Sequence, residues 1–150
     1  MEEAAETCLG IAGWQVIVVC GNNTRLRKRL TGLARNHPER LRVLGYRRDI
    51  PDLMAASDLL VTKGGGLSLT EALYVGVRTV VVPGLPGQEH ANIEFLERLG
   101  WIQVCQRLKD LSTFLPSLLD SEASRPHLPP RSSREAAAAL DGLARAGGGA

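Results

Sequence analysis

Long apolar runs are missing from this sequence: no stretch of its 150 residues approaches the roughly 18 that a membrane-crossing helix requires. The opening residues, MEEAAETCLGIA, are acidic and lack the basic start and apolar stretch of a secretory leader, so a cytoplasmic address is expected. Aromatic residues are scarce, with two each of Phe, Tyr and Trp and none interleaved with the basic residues; this argues against the stacking platforms of a nucleic-acid binder. Cysteine is scarce as well. Cys8, Cys20 and Cys105 are odd in number, widely spaced and free of any C-x-x-C pattern, which excludes a disulfide framework or zinc site and leaves reduced, packed thiols.

What is present is a globular composition, with 44% hydrophobic and 23% charged residues. A chain of this length buries roughly two thirds of its unfolded surface, so one modest core is expected. The net charge of +2 is unevenly spread: residues 25–48 hold nine of the 18 basic residues and one acid, Glu39, and are locally +8. Within RLRKRLTGLARN, Leu26, Leu30 and Leu33 form a stripe to be buried and the basic side chains fall mostly outside it. The solvated face of a helix accounts for this better than a binding site.

Short β-branched runs at 15–20, 41–45, 58–62, 78–83 and 101–105 read as strands. Amphipathic stretches at about 2–12, 24–36, 50–57, 67–76, 89–99 and 107–120 read as helices. Strands separated by helices imply right-handed β-α-β units in a parallel, Rossmann-like sheet. Residues 1–120 form the expected α/β domain. A Pro/Ser-rich linker (121–133) and an Ala-rich helix with a Gly tail (134–150) follow, the helix opening on a Ser132-x-x-Glu135 capping box.

The segment DLLVTKGGGLSLTEALYVG (58–76) carries the most chemical information. A strand runs into Gly64, Gly65 and Gly66 and then into a helix bearing Ser68, Thr70 and Glu71. Glycines let a phosphate approach the backbone, and the unpaired N–H groups and positive dipole end of the next helix favour a diphosphate. Two familiar phosphate loops do not fit. A P-loop places its lysine after the glycines, whereas Lys63 precedes them, and the dinucleotide fingerprint would put its third glycine at Leu69. The competing reading is a plain strand-to-helix turn in which Ser68-x-x-Glu71 is a capping box.

The second segment, VVVPGLPGQEHANIEFLERLG (80–100), delivers Gln88, Glu89 and Asn92 to the start of another helix at a neighbouring strand end. Fixed donors and acceptors at such a rim suit sugar hydroxyls; equally, Glu89 and Asn92 are ordinary first-turn residues. His90 is expected to face solvent.

Together these segments resemble the carboxyl-terminal domain of family 28 glycosyltransferases, which have the glycosyltransferase-B fold. The likeness runs through VVCGNN, LGYRRDIPDLMAASDLLVTKGGGLSLTEAL and PGLPGQEHAN, and is nearest to the diacylglycerol glucosyl- and galactosyltransferases. The resemblance implies the donor half of that fold, lacking its first strand, with Met1 an internal methionine of a longer enzyme. It assigns Gly64, Gly65, Gly66 and Ser68 to the diphosphate of a UDP-sugar, Glu71 to the ribose, and Gln88, Glu89 and Asn92 to the sugar. Gly45, Tyr46 and Arg47 match the family's uracil-binding turn. With no D-x-D motif in the chain, the resemblance implies neither metal nor cofactor beyond the donor substrate.

The expected reaction is inverting transfer of a hexose to a membrane lipid such as diacylglycerol, peripheral to the membrane, with the acceptor domain and its general base outside this chain. The alternatives are a non-catalytic donor-binding subunit of a split glycosyltransferase, an epimerase acting on a UDP-amino sugar, or an inactive fragment.

Overall fold

The computed structural model describes residues 1–84 and 89–120, so the linker at 121–133, the Ala-rich helix and Gln88 lie outside the described residues. The alternation of strand and helix read from the sequence is present throughout, in the order α1 (Glu2–Gly10), β1 (Val16–Val19), α2 (Thr24–Ala34), β2 (Leu41–Leu44), α3 (Ile50–Ala55), β3 (Leu59–Thr62), α4 (Gly66–Val75), β4 (Arg78–Val81), α5 (Glu89–Arg98), β5 (Gln103–Val104) and α6 (Leu111–Asp120). A 3-10 turn, Leu108–Asp110, precedes α6.

Every strand pair is parallel, and the ladders form two sheets rather than one. In the first, β1 pairs with β2 from Val16 opposite Leu41 to Val19 opposite Leu44. In the second, β4 lies between β3 and β5, with Leu59 opposite Arg78 and Val80 opposite Gln103. The described residues divide correspondingly into two compact units, one of Met1–Ile50 with Leu108–Asp120, the other of Pro51–Arg107.

Each unit has its own apolar cluster. In the first unit the leucine stripe of α2 does what its spacing requires: Leu30 is fully buried with Ala5 and Cys20, flanked by Leu26, Leu33, Val18 and Val43. Asn23 caps α2, its Oδ1 accepting from the Leu26 N–H at 2.9 Å. The carboxyl end of α1 is held from a distance in sequence. Arg40 donates through Nη2 to the Leu9 and Ile11 carbonyls, both at 2.7 Å, and through Nε to the Trp14 carbonyl at 3.0 Å. Arg29 reaches Glu2 at 2.8 Å. Arg29, on the face read from sequence as solvated, and Arg40, in the same basic segment beyond α2, are therefore structural ties of α1.

In the second unit Leu69, Leu73, Val81, Leu96 and Ile102 form the core between α4, α5 and the sheet. The β4 run is buried at Thr79, Val80 and Val81, as a central parallel strand demands. Cys8, Cys20 and Cys105 are all buried and free. No described helix is long and apolar enough to cross a membrane.

Candidate functional site

The glycine loop sits at the carboxyl end of β3, where open parallel sheets usually take their ligands. Its first glycine is dictated by the fold on two counts. Gly64 has φ +87, and a β-carbon there would lie 2.6 Å from Ile93 Cδ1 and 3.1 Å from Val81 Cγ1. The loop is thus pressed onto α5 and β4. The loop after β4 closes against it, since a β-carbon on Gly84 would meet the Lys63 carbonyl oxygen at 3.3 Å. Ladder hydrogen bonding continues into this corner, with the Val82 N–H donating to the Thr62 carbonyl at 2.8 Å. The two segments singled out in the sequence therefore meet at adjacent strand ends.

Gly66 is different. It has no positive φ, and a β-carbon there would meet nothing within 4 Å, so neither conformation nor packing requires a glycine. It begins α4, after an N-cap at Gly65 that provides no side-chain cap. The first intrahelical donor of α4 is Leu69, whose N–H bonds to the Gly65 carbonyl at 3.0 Å. The amides of Gly66, Leu67 and Ser68 thus occupy the positions that a helix leaves without intrahelical partners, with the positive end of the dipole behind them. A glycine the fold does not need, at an uncapped helix start, suits a ligand that approaches the backbone closely.

This arrangement corrects the capping-box alternative. Because α4 starts at Gly66, Ser68 is its third residue and Glu71 lies in the second turn, so the pair cannot cap the helix. Thr70 is spent on its own helix, its hydroxyl donating to the Gly66 carbonyl at 2.9 Å. Ser68 and Glu71 are half-buried. On α5, Asn92 is half-buried and is the neighbour of Ile93, which seals Gly64, while His90 is exposed as expected. Glu89 is the first residue of α5.

In the other unit, the turn after β2 holds Gly45, Tyr46 and Arg47. Tyr46 is 65% exposed. Arg47 is engaged within the turn, its Nε donating to Asp49 Oδ1 at 2.7 Å and its Nη2 to Oδ2. That guanidinium holds the Asp49 carboxyl below its usual range, and the carboxylate in turn raises the Arg47 pKa. Sequence reasoning missed two neighbours of these sites, Ile93 behind Gly64 and Arg27 against Gly45. An apolar residue and one arginine in a basic run carry no local signal of such contacts.

Comparison with known proteins bears on the family and the fold. The model of the glycosyltransferase family 28 C-terminal domain matches residues 2–138. The chain is 37% identical over 122 residues to a processive diacylglycerol beta-glucosyltransferase of Bacillus pumilus (strain SAFR-032), covering 81% of this chain and 32% of the relative. With the enzyme of the same name from Bacillus subtilis (strain 168) it shares 40% identity over 108 residues, 72% of this chain and 28% of the relative. It thus spans about a third of the length of these relatives. Among solved structures, Anabaena HepE in complex with UDP superposes with TM-score 0.67 at 18% identity, over 95% of this chain and 42% of that one. MurG of Acinetobacter baumannii gives 0.66 at 20% identity, over 95% and 44%. These two likenesses concern the fold, which is that of the glycosyltransferase-B enzymes, and the family match goes further: the chain belongs to glycosyltransferase family 28, of which it carries the C-terminal domain.

Proposed function

We propose that this chain binds the nucleotide-sugar donor in the transfer of a hexose to a membrane lipid such as diacylglycerol. The observation that carries this reading is the Gly64–Gly66 loop. Its first glycine is locked by Ile93 and its third is unneeded by the fold, and it opens onto the uncapped start of α4. The names of the curated relatives support a diacylglycerol acceptor and a glucosyl donor.

In this reading Gly64, Gly65 and Gly66 with Ser68 hold the diphosphate, Glu71 accepts from the ribose hydroxyls, and Gln88, Glu89 and Asn92 engage the sugar. Gly45, Tyr46 and Arg47 form the turn that takes the uracil. The acceptor hydroxyl attacks the anomeric carbon from the face opposite the leaving group. As the new C–O bond forms, the bond from the anomeric carbon to the β-phosphate oxygen breaks, and the electron pair leaves with UDP. Charge develops on the diphosphate, where fixed N–H groups and a helix dipole stabilise the transition state without reorganising. Helix and side chains supply this stabilisation in place of a divalent metal. The general base that takes the acceptor proton belongs to the acceptor domain, which the resemblance puts outside these 150 residues.

Calorimetric titration of the chain with UDP and UDP-glucose tests the assignment. Glu71→Ala and Gln88→Ala are expected to weaken UDP-glucose binding, and only Glu71→Ala to weaken UDP. Unchanged affinities in both variants would remove the site, and a requirement for a divalent metal would overturn the metal-free reading.

A further inference from the structure

The two units treat their sheets differently. In the second, Thr79, Val80, Val81 and Val82 are all buried, so the central strand is covered on both faces, as parallel sheets require. In the first, one face is covered and the other is not. Along the β1–β2 ladder Val16 and Val18 share a side with Leu41 and Val43, and this side meets the Leu30 cluster. The opposite side carries Ile17 beside Arg42 and Val19 beside Leu44. Ile17 is 47% exposed, Val19 38%, and Arg42 is exposed as well. Two β-branched apolar side chains thus stand open on the face of a parallel sheet. The described helices of this unit are engaged elsewhere: α1 and α2 lie on the covered side through Ala5 and Leu30, and α6 packs against α1.

The rest of the chain starts from this same unit. α6 ends at Asp120, and 30 residues follow it. The 13 residues of 121–133 span about 43 Å when extended, whereas a unit of this size has a radius of gyration of about 11 Å. Residues 134–145 can therefore reach any part of its surface. At helical spacing these residues place Ala136, Ala137, Leu140, Leu143 and Ala144 on one side and Arg134, Glu135 and Arg145 on the other, with Asp141 at the border of the apolar stripe. A helix of this length is marginal alone in water and takes its stability from a surface that covers the stripe. Small alanines let such a helix lie close on two strands, and the acid at its border complements Arg42.

We propose that residues 134–145 form the second cover of the β1–β2 sheet, laying the Ala/Leu stripe on Ile17 and Val19 with Asp141 toward Arg42. The carboxyl-terminal segment is then a structural layer of the first unit, independently of what the glycine loop of the other unit binds.

The test is the rate at which a thiol reagent labels Ile17→Cys in the full chain, with the rate of the unaltered chain subtracted, since its three cysteines are buried. Lys28→Cys, exposed on α2 at the covered side of the sheet, gives the rate of an open site. Ile17→Cys is expected to react about tenfold more slowly than Lys28→Cys, and the added pair Leu140→Ser and Leu143→Ser should bring it within about twofold of that control while leaving Lys28→Cys unaltered. Three results overturn the proposal. Ile17→Cys that reacts as fast as Lys28→Cys leaves the face open; protection that survives loss of both leucines assigns the cover to another element; and protection that grows with protein concentration assigns it to a second copy of the chain. Val19→Cys repeats the measurement two residues along the same face, and decides the matter if Ile17→Cys does not fold.

Discussion

Three glycines in a row invite a single explanation, yet the first and third answer to different demands. Gly64 is required by the fold, through its positive φ and the Ile93 side chain against it. Gly64→Ala is expected to cost about 1–3 kcal/mol in urea unfolding. Adding Ile93→Val removes the atom in closest contact and should recover only part of the loss, since the backbone strain persists. Gly66 is not required by the fold, and alanine is the better helix former by about 0.5–1 kcal/mol. Gly66→Ala should therefore keep or raise the urea midpoint while weakening UDP binding about tenfold; unaltered binding would deny that a ligand approaches this backbone. At the other turn, the carboxyl of Asp49 titrates below its usual range because of Arg47. The stabilisation this pair supplies is present above the unfolded carboxylate pKa of about 3.9 and is lost as pH falls through the depressed folded value. An NMR titration of Asp49 should show that value rising toward normal in Arg47→Ala.

At the scale of elements, hydropathy alternation and helical periodicity carried the strand and helix order, because apolar burial sets both signals. Most boundaries lie within one or two residues of those expected; β5 shortens to Gln103–Val104, with Trp101 and Ile102 instead packing into the core before it. The start of α4 was not legible. Its N-cap, Gly65, has no side chain to announce itself, while Ser68-x-x-Glu71 offers a local pattern that the chain does not use. Arg40 was illegible for another reason: charge spacing reports neighbours on one helix, and the carbonyls Arg40 satisfies lie 26 to 31 residues away. Three carbonyls at the end of α1 and beyond depend on this one fork of donors. Arg40→Met is expected to lower stability by about 2 kcal/mol in chemical denaturation, and Arg40→Lys to fail as a rescue, because an ammonium cannot reproduce the planar donor set. A lysine variant as stable as the original would show that charge alone suffices.

At the scale of the whole molecule, the described residues form two compact units, each with its own parallel sheet and apolar cluster. The glycine loop, Glu71 and Asn92 belong to one unit, and the Gly45 turn with Arg27 to the other. The sequence reading expected one modest core, since length and composition fix how much can be buried but not how it is shared. Within the second unit the neighbouring loops were placed together from β-α-β order alone, because successive parallel strands present their carboxyl ends along one edge. The family assignment rests on most of the chain, whereas donor binding rests on a few residues around one helix start. The most direct test of that claim is calorimetric titration of the chain with UDP, repeated with Glu71→Ala on protein shown to melt cooperatively. Saturable binding of UDP that Glu71→Ala weakens about tenfold is the predicted result; a cooperatively folded chain that does not bind UDP, or binds it equally well without Glu71, would contradict the account.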